Sequence, residues 1–325
     1  MSSVDYLSVL DILSKSHELQ RKRESEITKS IEIKCPLCSN SAINFSLARA
    51  IISPWIRNLA GVKKRTSKFF FCEVCSGAFF DYRYSPLEMA RLYQNYRDEN
   101  YVKLRRKWEP WYTKDFNDAH NTDYFVGKRK IALQNFLLSL EISNFETIVD
   151  VGGDFGQFIP DLGVNNNKYV LDLSEQPLIP GIRRINSLQE LKEIDLIIYA
   201  HVLEHVDSPL TELKKLTDNS RFVYVEVPEG IPEINKIRKS KILYLFNLAT
   251  SFEPRLWGRF SKPSGGRIMK SKFLRQSEHI NFFNEQTFTE MAITLDLSMI
   301  SLSTTSIPSP EGGEAKVIRA VYSKK

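Results

Sequence analysis

The chain has 325 residues, 42% hydrophobic and 26% charged, with a formal net charge of +6. That length buries a full α/β core with roughly 100 residues to spare, so two domains are expected. No apolar run approaches the ~18 residues that span a bilayer, and Asp5 and Asp11 interrupt the apolar start where a signal peptide needs none, so a cytoplasmic protein without a membrane span is expected.

In chain order, residues 1–30 read as an amphipathic helix, with Tyr6, Leu7, Val9, Leu10, Ile12 and Leu13 on one face. Residues 31–85 then show short strands around Cys35-Pro36-Leu37-Cys38 and Cys72-Glu73-Val74-Cys75, which hold all four cysteines. Two C-x-x-C knuckles converge naturally on one tetrahedral ion, so Cys35, Cys38, Cys72 and Cys75 are expected to bind Zn2+. Four protein ligands leave no open position, which makes that metal structural. Disulfides and redox chemistry are the rivals, and a cytosolic location disfavours the first.

A helical connector follows over 86–121, with a helix at 86–93 and an aromatic run of Tyr96, Tyr101, Trp108, Trp111, Tyr112 and Phe116. A long helix over about 122–140 opens the last domain, 122–325. There, strands are expected at 147–151, 168–172, 182–185, 195–200 and 221–227, with a helix starting at 156–162 and a terminal hairpin of 298–304 with 315–322. This alternation predicts a mainly parallel sheet with helices on both faces. The basic, aromatic-rich stretch 228–278 is longer than an ordinary connection and reads as a lid or substrate insertion. Basic clusters elsewhere are dispersed, which fits solvated helix faces better than a nucleic-acid groove.

The chemistry concentrates at Asp150-Val151-Gly152-Gly153-Asp154-Phe155-Gly156. A strand entering a glycine turn lets backbone approach a ligand closely. Asp172, at the end of the next strand, supplies the two acceptor oxygens that a ribose diol needs. Further on come Asp195-Leu196-Ile197-Ile198-Tyr199-Ala200-His201-Val202-Leu203-Glu204-His205-Val206, then Val225-Glu226-Val227-Pro228, and Glu278-His279-Ile280-Asn281-Phe282-Phe283.

Together these motifs resemble the class I S-adenosylmethionine-dependent methyltransferases over residues 147–288. The resemblance implies a Rossmann-like seven-stranded α/β sheet carrying a small N-terminal zinc-binding domain, with S-adenosyl-L-methionine as cofactor. It places Gly152, Gly153 and Gly156 beside the methionine part of the cofactor, with Asp150 holding the turn and Asp172 accepting both ribose hydroxyls. Asn186 and Ser187 fall near the adenine, and Ala200 and His201 beneath the sulfonium. Asp154 stands where many members have glycine, and Asp tolerates the left-handed conformation such a turn requires.

The sulfonium already activates the methyl group, so the protein's task is alignment and removal of a proton from the acceptor. A histidine suits that second task. His201, His205 and His279 fall near the expected active face, with His205 read as a packing residue. The Cys pairs with Glu278-His279 are similar to sugar methyltransferases, including C-methyltransferases of nucleotide-linked deoxysugars, in which His279 would be the base and Glu278 its partner. Gln276 and Ser277 depart from that group, which has an aromatic and a second histidine there. The expected acceptor is a sugar or nucleotide sugar, and the expected assembly is a monomer or homodimer. An RNA methyltransferase and a non-catalytic partner protein are the alternatives.

Overall fold

The computed structural model describes residues 34–41, 45–94, 96–140, 142, 145–163, 167–174, 176–231, 245, 248–261, 274–309 and 313–325. The helix expected over 1–30 and most of the 228–278 insertion lie outside the described residues.

In chain order the elements are β1 (Phe45–Ile52), α1 (Pro54–Ala60), β2 (Thr66–Cys72), β3 (Ala78–Phe80), α2 (Pro86–Tyr93), α3 (Glu99–Trp108), α4 (Lys114–Asp118) and α5 (Asp123–Leu138). Then come β4 (Thr147–Val151), β5 (Asn167–Leu171), β6 (Ile182–Arg184), β7 (Leu196–Ala200), α6 (Pro209–Asn219) and β8 (Phe222–Pro228). The chain closes with α7 (Pro254–Ser261), β9 (Arg275–Gln276), β10 (Asn281–Phe282), α8 (Glu285–Leu295), β11 (Leu297–Pro308) and β12 (Glu314–Lys324). Helix starts follow local chemistry: Ser85 caps α2 in a reciprocal capping box with Glu88, and Thr122 caps α5 through the amide of Phe125.

The larger sheet runs β11-β12-β8-β7-β4-β5-β6. β6, β5, β4, β7 and β8 are parallel, while β12 enters antiparallel to β8 and pairs antiparallel with β11. Parallel strands on one side of a reversed closing hairpin are the Rossmann-like seven-stranded order of the class I methyltransferase sheet. Its central strands are apolar on both faces, as buried parallel strands require. On one face Ile148, Leu196, Ile198 and Tyr224 pack with Leu133 and Leu137 of α5. On the other, Val149, Ile197, Tyr199 and Val225 pack with Leu213 of α6 and Phe288 and Met291 of α8.

One expected helix is missing. Residues 156–158 bend and turn instead, and 159–162 have no regular structure. Gly152, Asp154 and Gly156 all take left-handed backbone conformations, which uses up the start of the connection. Pro160 then removes a donor and disfavours helix in the residue before it, so no helix of useful length fits before β5.

The second sheet runs β10-β3-β2-β1-β9. β1, β2 and β3 form an antiparallel meander, β9 adds parallel to β1, and β10 adds antiparallel to β3. The outer strands belong to one short run, residues 275–282, placed on opposite edges. Four strand spacings amount to about 19 Å in a flat sheet, whereas the five steps from Gln276 to Asn281 reach at most about 18 Å. The sheet is therefore rolled, and residues 277–280 close it. This closure holds Glu278 against the N-terminal half, while His279 faces His205 of the C-terminal one.

Candidate functional site

The glycine loop sits at the carboxyl end of β4, as expected. Gly152 has φ +79° and Gly156 has φ +86°. At Gly156 a Cβ would meet Ile182 Cδ1 at 2.5 Å, and at Gly153 it would meet the Asp150 carboxyl at 2.4 Å. Gly153 thus makes room for Asp150, and Gly156 lets the turn seat on β6. Asp154 adopts φ +52° without being glycine, and its amide donates to Asp172 Oδ2 at 2.8 Å. The Ser174 amide donates to Asp172 Oδ1 at 2.7 Å. Asp172 thereby ties both loops together, and each of its oxygens keeps acceptor capacity for a hydroxyl.

Burial, with the nearby Asp172 carboxylate, pushes the Asp150 carboxyl up to about 8. The same two causes raise Asp154. Three carboxyl groups crowded at one strand edge favour a cationic ligand. Asn186 and Ser187 follow β6; the Asn186 amide donates to Glu190 Oε1 at 2.8 Å, and Ser187 caps the short turn 188–190. Ala200 ends β7 on the same edge.

His201 follows with φ +57°, and its amide donates to the Glu226 carbonyl at 2.7 Å. Its ring lies between two buried acids, with Nε2 3.1 Å from Glu226 Oε1 and Nδ1 3.5 Å from Glu204 Oε1. Burial works to lower the His201 pKa and Arg129 adds to it, but Glu204 and Glu226 outweigh both and raise it. Glu226 is further bound by Arg129, by Arg319 Nε at 2.9 Å and by the Tyr224 hydroxyl at 2.7 Å. Burial opposes its charge, but Arg129 and His201 hold the carboxyl well below the ordinary range.

His205 ends a short 3-10 turn, Leu203–His205, and is buried. Its Nδ1 contacts the Tyr93 hydroxyl at 2.9 Å and the Glu278 carbonyl at 3.1 Å. The residues between β7 and α6 are fastened to the 278–281 run by the Ile280 amide on the Glu204 carbonyl at 2.9 Å. Asn281 Nδ2 donates to the Val206 carbonyl at 2.8 Å. Arg83 Nη2 completes the fastening, reaching Val206 O at 2.6 Å, Asp207 O at 2.8 Å and Asn281 Oδ1 at 2.7 Å. His279 consequently faces His205, with ring centroids 4.7 Å apart and the rings near perpendicular.

Glu278 points elsewhere. Tyr101 donates to its Oε1 at 2.5 Å, and Arg105 Nη1 stands 3.5 Å from its Oε2. Burial tends to raise this carboxyl, but Arg105 and Tyr101 hold it below the ordinary range. In sequence the connector shows only an aromatic character; its role as the partner of Glu278 has no motif behind it. Arg105 is clasped in turn by Glu109 at 3.0 Å and lies over the rings of Trp55 and Tyr112. Trp257, from the insertion, is buried in the same core.

The four cysteines meet in the core between the two sheets. Cys35 and Cys75 sulfurs lie 3.8 Å apart, as do those of Cys38 and Cys72. With a zinc–sulfur bond of about 2.3 Å, a tetrahedron has an edge of about 3.8 Å, so the cluster fits zinc. Each knuckle turns the same way: Ser39 and Ser76 take φ of 57° and 54°, and the Cys35 and Cys72 amides bond to Asn40 O and Gly77 O. The start of α8 braces the second knuckle, with Thr287 Oγ1 donating to Cys75 O at 3.0 Å and Asn284 Nδ2 to Ser76 O at 2.9 Å.

Compared with known protein families and with curated proteins, the chain matches none. Among solved structures it is similar to the 1,6-didemethyltoxoflavin-N1-methyltransferase of Burkholderia thailandensis, at 14% identity over 69% of this chain and 90% of that one, with a TM-score of 0.38. It is also similar to the magnesium protoporphyrin IX methyltransferase of Synechocystis PCC 6803, at 12% identity over 69% and 95% of the two chains and a TM-score of 0.37. A third is the plantazolicin methyltransferase BamL, at 11% identity, 69% and 95% coverage and a TM-score of 0.41. The strand order carries the fold assignment by itself.

Proposed function

We propose that the chain is an S-adenosylmethionine-dependent methyltransferase acting on a small-molecule acceptor, a sugar or glycan precursor in polysaccharide or secondary-metabolite biosynthesis. The observation that carries this reading is the carboxyl-rich edge formed by Asp150, Asp154 and Asp172 at the ends of β4 and β5. When bound, the cofactor supplies an activated methyl group. Asp172 accepts the ribose hydroxyls, Asp150 favours the amino end, and the turn at Gly152, Gly153 and Gly156 leaves room for the methionine part. Asn186 and Ser187 flank the adenine, while Ala200 and His201 lie beneath the sulfonium.

His279 draws the proton from the acceptor, and Glu278 fixes the segment that presents it. Zinc at Cys35, Cys38, Cys72 and Cys75 is structural: it locks the knuckles onto α8, which directly follows that segment. Calorimetric titration with S-adenosylhomocysteine tests the cofactor site. Labelled methyl transfer to a panel of nucleotide sugars, free glycans and RNA tests the acceptor, and no transfer to any sugar would overturn the sugar reading.

One observation favours a second reading. A cleft of about 390 Å³ is lined by Arg97, Lys103, Arg106, Lys107 and Lys114, with Glu99 and Asp118 among them, a net cationic surface of the kind that RNA phosphates use. The RNA arm of the same panel decides between the two.

A further inference from the structure

Glu204, His205 and His279 each present one ligand atom within 4.8 Å of the other two. Glu204 is 2% exposed, yet neither of its carboxylate oxygens has a hydrogen-bond partner among the described residues. Its neighbours His201 Nδ1 and His205 Nε2 stand off at 3.5 and 3.8 Å, beyond good hydrogen-bond geometry. His201 offsets part of this charge as an ion-pair partner, but the two oxygens still lack the hydrogen bonds that a buried carboxylate needs.

The tautomer of His205 sharpens the problem. Its Nδ1 lies 3.1 Å from the Glu278 carbonyl, which can only accept. Nδ1 also lies 2.9 Å from the Tyr93 hydroxyl, which donates as well as accepts, so two tautomers are open; in the one with Nδ1–H on the Glu278 carbonyl, Nε2 turns an unprotonated lone pair towards Glu204. Two electron-pair donors then face one another with no proton between them. Donation of the far ring N–H to a backbone carbonyl is also how metal-bound histidines are oriented.

We propose that Glu204, His205 and His279 form a three-ligand site for a divalent ion of the zinc class, distinct from the four-cysteine cluster. Two imidazoles and one carboxylate suit zinc, and three protein ligands leave a fourth position open. His279 is the least buried of the three, so the open position is on its side, where an acceptor hydroxyl or a water completes the shell. A tetrahedral site with these bond lengths has edges of about 3.4 Å, so the ion draws the three side chains together. Ion binding stands independently of methyl transfer; only the role of the ion as an anchor for the acceptor rests on the function proposed above. In the metal-free chain His279 is the base proposed above; with the ion bound it is a ligand, and the ion itself acidifies the acceptor hydroxyl that it holds.

The test is a zinc count on the full chain after equilibration with zinc ion and removal of the excess. Two equivalents per chain are expected, and one overturns the proposal. His279→Ala is expected to fall to one equivalent, with the cysteine-bound zinc reporting that the variant is folded; retention of two overturns it. Should the variant hold none, cobalt substitution of the wild-type chain decides. A second cobalt with d–d bands but no added sulfur charge-transfer absorption supports the site, and its absence overturns it. Titration with S-adenosylhomocysteine is independent: one zinc with cofactor binding removes only this proposal, and two zincs without cofactor binding removes only the methyltransferase reading.

Discussion

Tyr101 donates its phenolic hydrogen to Glu278 Oε1 at 2.5 Å, so a helix of the connector grips the residue next to His279. The two are far apart in sequence, and Arg105 supports both, donating to the Tyr101 hydroxyl at 2.7 Å. Tyr101→Phe keeps the ring packing and removes the donor. Hydrogen bonds to buried charged groups contribute roughly 1.5–3 kcal/mol, so a drop of several degrees in melting temperature is expected. Turnover with the best acceptor should fall about tenfold or more. Thermal melting and labelled methyl transfer check both, and wild-type behaviour in the two assays would show that the grip is idle.

Asp172→Asn should lower affinity for S-adenosylhomocysteine about tenfold or more. The amide nitrogen replaces an acceptor, so it opposes either the Asp154 or the Ser174 amide that the carboxylate now receives. Calorimetry on the folded variant measures this, and an unchanged dissociation constant would remove Asp172 from the cofactor site.

Asp150 gives the apoprotein a pH signature. Its folded pKa, about 8, is raised above the unfolded value. The stability from its neutral form is fully present below about 4, falls steadily as pH rises from there, and is gone by about 8. Asp150→Asn removes the titration. Its stability relative to wild type should therefore rise by about 2–3 kcal/mol between pH 6 and pH 9. Urea unfolding at the two pH values reads this directly, and parallel pH profiles for the two proteins would contradict it.

Cys72→Ser should lose the cysteine-bound zinc and destabilise the whole chain, because the knuckles are bonded to α8 and share a core with the larger sheet. Structural zinc sites contribute folding free energy outright. The expected result is a melting temperature lower by several degrees or more, together with zinc release to a chromogenic chelator. A zinc-free variant with wild-type melting would show that the metal is dispensable for folding.

Much of the larger sheet was legible because its signals are local. Strands β4, β7 and β8 are rich in β-branched residues and β5 ends in Tyr169-Val170-Leu171, and Asp150, Asp172 and the glycines fall at the carboxyl ends of β4 and β5 as the pattern requires. The helix expected at 156–162 failed for a local reason as well: Pro160 weighs more than the apolar pattern around it. What stayed hidden is non-local. Nothing in residues 275–282 announces that they pair with β1 and β3, and nothing in Tyr101 or Arg105 points to Glu278. The Leu203-Glu204-His205-Val206 stretch was visible as a motif, but the unmet carboxylate of Glu204 emerges only when His205 and His279 are brought beside it.

The rolled sheet also has a consequence for synthesis. β1, β2 and β3 leave the ribosome roughly two hundred residues before the run that covers both of their outer edges. Through that interval the meander exposes two open edges, the usual template for wrong pairing between chains. Metal captured early by the two knuckles would hold β2 and β3 in register while the chain waits for its last third. Expression in zinc-poor medium is then expected to show its damage as aggregation of the newborn chain, ahead of any loss in the finished protein.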